Sequence, residues 1–174
     1  TAVLGRSRPS SEPTDWSNAL SKLADRVSAA GGPGSLRFLL SAHASLEDLF
    51  VVGRLGGAFG VPEEGVGVSW RQRAKPQPAG TKFKIPPIDA PNLRGARDLG
   101  FPVTATPTGD PELSAFRVDI QSGKVGALYV FDPGPAGSIG DLAWVIAARK
   151  SGALKTLIVH GVLMSDLAAA ADIV

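Results

Sequence analysis

Cysteine is absent from the chain, which removes disulfides, iron–sulfur clusters, thiolate zinc sites and a cysteine nucleophile from its own chemistry. Histidine is nearly absent. Only His43 and His160 occur, on different elements and without an H-E-x-x-H pattern, so no metal site is expected. Aromatic residues make up 6% of the chain, with a single tyrosine. No apolar run approaches the length of a membrane span, since the candidate at 139–148 is short and interrupted by Asp141. Residues 1–11 are polar and lack the apolar centre of a secretory signal. The expectation is a soluble, cytoplasmic chain with no direct membrane insertion.

What is present has the composition of a globular protein. The 174 residues are 44% hydrophobic and 20% charged, enough for one domain, 1–174, with a substantial core. The net charge of +2 is small but unevenly spread. Between Arg71 and Asp98 there are seven Lys/Arg against two Asp, a surplus of five, which leaves the remainder at 2 − 5 = −3. Residues 71–102 also hold Pro76, Pro78, Pro86, Pro87, Pro91 and Pro102. A long basic, proline-rich loop inside a compact domain is functional or partner-bound. Clustered cations can neutralise phosphates, but between Arg71 and Asp98 only Phe83 offers a ring for stacking. Docking on a protein subunit is therefore preferred and nucleic acid is not expected.

In chain order, residues 1–13 form a polar leader, extended or without regular structure. Thr14 or Asp15 can cap a first helix carrying Trp16, Leu20, Leu23 and Val27 until Gly31 and Gly32 stop it. Residues 35–40 make a buried strand, and Ser45 with Asp48 forms a capping pair for a second helix. Residues 66–70 suit a short strand and 92–99 a helical turn. Residues 110–121 place Leu113, Phe116 and Ile120 at helical spacing, although 116–120 also alternates as a strand does. Helix is the adopted reading. Residues 124–160 then read strand, loop, helix, strand, a βαβ unit that implies a parallel sheet. Ser165 caps a short helix, and 171–174 begins another strand.

Ligands of such sheets bind beyond the carboxyl ends of the strands. Four residues there are the candidate cofactor-binding set: Ser41 and His43 after the first strand, and Asp132 and Gly134 after the third. The 132–140 loop carries Gly134, Gly137 and Gly140 between a strand and a helix, the context of a phosphate cradle. Its spacing is not G-x-G-x-x-G, and Pro133 and Pro135 each lack a backbone N–H donor. A plain strand-to-helix turn is preferred. Ser41 and His43 suggest a nucleophile and base, but there is no G-x-S-x-G elbow and no acid to orient the imidazole. No catalytic residue is assigned.

Several stretches, taken in order, resemble one family. Trp16, Ala19 and Leu20 match a Trp-x-x-Ala-Leu helix of molybdopterin oxidoreductases, and 38–50 is similar to their strand, Ser-containing loop and helix with an acidic pair, here Glu47 and Asp48. Residues 75–86 and 89–100 resemble a loop of the large iron–sulfur subunit of bacterial NADH-quinone oxidoreductase. Residues 122–130 and 168–174 resemble late βα units of both. The resemblance covers most of 15–174. It implies a three-layer α/β/α Rossmann-like domain with a mostly parallel sheet, belonging to a larger subunit of complex I. The family's Gly-(Glu/Ser)-(Asp/Asn)-Pro after the third strand stands here as Val130, Phe131, Asp132 and Pro133, which argues against intimate contact with a pterin nucleotide. The implied role is a scaffold for electron transfer that docks other NADH-quinone oxidoreductase subunits. It would carry no cofactor in this stretch, the parent's iron–sulfur clusters being held elsewhere, and would be peripheral to the inner membrane. The alternatives are a molybdopterin-guanine-dinucleotide-binding domain of a molybdoenzyme and a stand-alone nucleotide-binding module.

Overall fold

The structure, a computed structural model, describes residues 2–4, 12–70, 76–85, 90–103, 111–131 and 139–174. Its first elements lie within the leader, where the sequence suggests no regular structure. β1 (Ala2–Leu4) pairs antiparallel with β2 (Glu12–Thr14). α1 (Trp16–Ala29) follows, capped by Asp15, whose carboxylate accepts the Asn18 N–H at 2.8 Å. Positive φ at Gly31 and Gly32 (118° and 76°) turns the chain out of the helix, a conformation that glycine adopts without strain.

The main sheet begins with β3 (Leu36–Ser41), all six of whose residues are buried. α2 (Leu46–Ala58) leads to β4 (Val66–Ser69), and α3 (Leu93–Asp98) falls on the expected helical turn. α4 (Pro111–Gln121) resolves the helix-or-strand ambiguity as helix. β5 (Ala127–Phe131), α5 (Ala143–Ser151) and β6 (Thr156–His160) complete the βαβ unit, and α6 (Asp166–Ala170) is capped by Ser165.

The four longer strands are all parallel, in the order β4-β3-β5-β6. Single-residue parallel bridges extend both edges, Val103 beside Val68 of β4 and Ile173 beside Ile158 of β6. Counted as strand stubs, they give six positions whose chain order reads 3-2-1-4-5-6 across the sheet, the doubly wound arrangement. The order reverses between β3 and β5, and the crevice of such a fold lies beyond their carboxyl ends.

Alternation along the strands sends side chains to two cores. Leu36, Phe38 and Leu40 of β3 face α1, α2 and α3, whereas Leu39 joins Leu128, Val130, Leu157 and Val159 against α4, α5 and α6. The chain is thus a three-layer α/β/α domain. Burying a side chain such as Phe38 or Leu39 contributes roughly 1.5–3 kcal/mol, so the centre of the sheet dominates stability.

One polar group ties the layers together at the amino end of the sheet. Asp172 is buried, and its carboxylate accepts Arg149 Nε at 2.7 Å and Nη2 at 2.5 Å. It also accepts Arg26 Nη1 at 2.9 Å and the Leu157 N–H at 2.9 Å. Arg26 belongs to the last turn of α1 and Arg149 to that of α5, so a single carboxylate joins both helical layers to β6 and the edge stub. The hydrogen bond to Asp172 raises the Arg149 pKa above its ordinary value. Both guanidinium groups are partly exposed and can be solvated when the carboxylate is lost, so what its removal costs is the hydrogen bonds and the Leu157 N–H left without an acceptor. Asp172→Ala is therefore expected to lower the unfolding free energy by about 1–3 kcal/mol in urea denaturation. Breaking the exposed Arg94–Asp98 pair with Arg94→Ala should change it by less than about 1 kcal/mol.

Candidate functional site

The candidate site lies where the strand order reverses. Ser41 ends β3 and is paired in register with Ser69, which ends β4. Both face the α4–α5–α6 layer, because they lie two residues beyond Leu39 and Gly67, which face Phe116 and its neighbours. Neither hydroxyl is open to a ligand, since Ser41 is 0% and Ser69 1% exposed.

Each serine is engaged internally. The Ser41 hydroxyl oxygen accepts the His43 N–H at 3.1 Å, so the two sequence candidates do meet, as a turn closing on itself. The Ala42 N–H continues the ladder to the Ser69 carbonyl at 3.1 Å. Asn92 closes this loop from outside, donating its N–H to Ala42 O at 3.1 Å and its amide Nδ2 to Ala44 O at 2.6 Å. The end of the basic loop is therefore part of the fold, with Ala90, Leu93 and Ala96 buried in the same core. His43 is half-buried beside Ser41.

The N-terminus of α2, where a nucleotide phosphate would sit, is self-capped. Ser45 accepts the Asp48 N–H at 3.1 Å and donates its hydroxyl to the Asp48 carboxylate at 2.7 Å. Glu47 and Asp48 place two carboxylates in this first turn, where they compete with any anion for the helix dipole. Asp132 and Gly134 lie outside the described residues. The far end of their loop is described. Ile139 is buried, and its carbonyl accepts the Ser69 hydroxyl at 3.1 Å. A chain segment that leaves β5 is thus fastened beyond β3, at the end of β4. Gly140, at φ 94°, turns it into α5, and the Asp141 carboxylate accepts the Ala143 N–H at 2.9 Å.

A second group of side chains gathers at the carboxyl ends of β5 and β6. His160 pairs in register with Phe131, which puts Tyr129 one diagonal step away. The Tyr129 hydroxyl lies 2.8 Å from His160 Nδ1. The His160 ring meets Phe131 edge-on at 4.8 Å and Trp16 at 6.5 Å. In the sequence His160 stands at the end of an apolar strand, where it could face the carboxyl-end cleft, and Tyr129 is only part of an apolar run. Their pairing depends on the parallel register of two strands, which periodicity alone does not supply.

Among the described residues no cluster of three or more His, Asp or Glu is placed to hold a metal ion. No described helix is long and apolar enough to cross a membrane. No family model, curated protein or solved structure matches the chain.

Burial pushes the Tyr129 pKa up to about 12, above the ordinary value of about 10. The raised pKa contributes stability that is fully present below about pH 10 and is lost as pH rises through about 12. Tyr129 is the chain's single tyrosine, so phenolate absorbance titrates it alone. The expected midpoint is about 12, with urea midpoints falling over the same pH interval. A midpoint at the ordinary value would mean that the ring is solvated.

Proposed function

We propose that this chain is a non-catalytic domain of the large iron–sulfur subunit of an NADH-quinone oxidoreductase, cytoplasmic and peripheral to the inner membrane. In this reading it scaffolds the electron-transfer arm and docks neighbouring subunits, while redox centres are held elsewhere in the parent chain. The order of the family-like stretches supports the assignment. The observation that carries the non-catalytic role is the filling of the crevice at the strand-order reversal. Ser41 is enclosed, Ile139 is fastened to Ser69, and α2 caps itself with Ser45 and Asp48. A molybdopterin-guanine-dinucleotide-binding domain would use the same strand order, but would need that crevice and helix terminus open to the nucleotide.

The basic loop supports docking. Gln77 clasps the backbone of Ile85 from both sides, donating Nε2 to its carbonyl at 2.9 Å and accepting its N–H at 3.0 Å. The segment between is closed into a tip, with Gly80 at φ 72° and the Thr81 hydroxyl donating to Phe83 O at 3.1 Å. The tip displays Phe83, 66% exposed, between the exposed Lys82 and Lys84. A preordered loop loses less entropy on binding, and a protruding aromatic is the usual anchor of a protein interface. Its flanking cations suit an acidic socket on a partner subunit.

Co-expression with the remaining subunits of a bacterial NADH-quinone oxidoreductase tests the reading. The chain is expected to co-purify with them. Phe83→Ala and Lys82→Glu/Lys84→Glu should reduce that recovery while changing the unfolding free energy by no more than about 0.5 kcal/mol. Tight binding of molybdopterin guanine dinucleotide by the isolated chain would contradict the reading and favour the molybdoenzyme alternative.

A further inference from the structure

The face of the sheet that carries α2 and α3 is covered unevenly. Those helices pack on β3 and β4, and among the described helices it is α1 that packs on β5 and β6. α1 is fixed at its C-terminal end, where Arg26 reaches Asp172 and Gly126 allows a close approach: a Cβ there would collide with the Ala30 carbonyl oxygen. Its N-terminal half is less tightly held, and Trp16 and Leu20 each remain 58% exposed. Between that half and the strands lies a cavity of about 160 Å³, lined by Trp16, Leu20, Leu23, Tyr129, Ile158 and His160 among others.

We propose that this cavity binds a small molecule consisting of a single aromatic ring that carries an acceptor oxygen. The size is right for one ring, since an apolar cavity of about 150 Å³ accepts benzene. The walls are apolar and aromatic. Their polar side-chain chemistry is the Tyr129–His160 pair. The Tyr129 hydroxyl lies 2.8 Å from His160 Nδ1, so in the Nε2–H tautomer the phenol donates to Nδ1. That tautomer leaves the Nε2–H of the exposed His160 without a protein partner among the described residues. His160 is held edge-on by Trp16, Tyr129 and Phe131, so the donor is pre-positioned at the wall of an apolar pocket. A ring fills the pocket, and an oxygen acceptor on it satisfies Nε2–H. The inference concerns a different cluster from the filled crevice and does not rest on the proposed role in a respiratory complex.

The test is titration with benzamide, followed by backbone and side-chain NMR shifts and by Trp fluorescence, with cyclohexanecarboxamide and benzene as comparators. Benzamide is expected to shift Trp16, Leu20, Tyr129, Ile158 and His160 and to bind more tightly than either comparator. His160→Ala should weaken it about threefold to tenfold, the value of one hydrogen bond, and His160→Gln, which retains a donor, should recover part of the loss. Ala19→Leu, which adds bulk to the cavity wall, should abolish binding while the chain remains folded by circular dichroism. The proposal is overturned if benzamide produces no localised shifts up to its solubility limit, or if the cyclohexane analogue binds equally well. Unchanged binding by His160→Ala would also overturn it. So would concentration-dependent self-association through these residues that benzamide cannot compete, because a protein side chain would then be the occupant.

Discussion

No residue of β3 is exposed, so both of its faces have to be covered, and the two helical layers follow from that requirement. A strand buried on both sides must be apolar nearly throughout, and Leu36, Phe38, Leu39 and Leu40 supply side chains to both cores. The parallel neighbours β4 and β5 then impose long crossover connections, and those connections are the helices that cover the faces. The fold closes at its amino edge through Asp172, which satisfies two guanidinium groups and a backbone N–H at once.

The same burial determines what the carboxyl edge can do. Many doubly wound proteins keep an open crevice at the strand-order reversal. Here the chain supplies its own contents: a serine turn, a self-capped helix and an isoleucine carbonyl fastened to the neighbouring strand. Polar groups that would otherwise face a ligand are paired internally. Exposed or open apolar features lie elsewhere, among them the Lys82–Phe83–Lys84 tip and the cavity beneath the N-terminal half of α1.

Much of the architecture is legible in the residues. Asp15 and Ser45 announce helices through local side-chain-to-backbone bonds, Gly31 and Gly32 end one through their φ angles, and the buried strands are continuous apolar runs. These signals act over a few residues and need no tertiary information. The strand pair β1–β2 is not legible, because a three-residue strand carries too little periodicity to stand out in a polar leader. The Arg26–Asp172 contact spans 146 residues, and the Tyr129–His160 pair depends on strand register. Neither follows from local pattern. The sequence places Ser41 and His43 together at a strand end, but the enclosure of Ser41 arises from the layer packed on its face of the sheet rather than from local pattern.

Among the described residues, the protein itself encloses Ser41 at the strand-order reversal, and the absence of cysteine permits a direct measurement of that enclosure. A single thiol introduced by Ser41→Cys can be timed in its reaction with an aromatic disulfide reagent, with Ser17→Cys on the exposed face of α1 as the reference. A filled crevice requires the thiol at 41 to react only as fast as the domain opens, accelerating in urea in parallel with unfolding. Reaction at the rate of the reference thiol under native conditions would show an open crevice and contradict the claim.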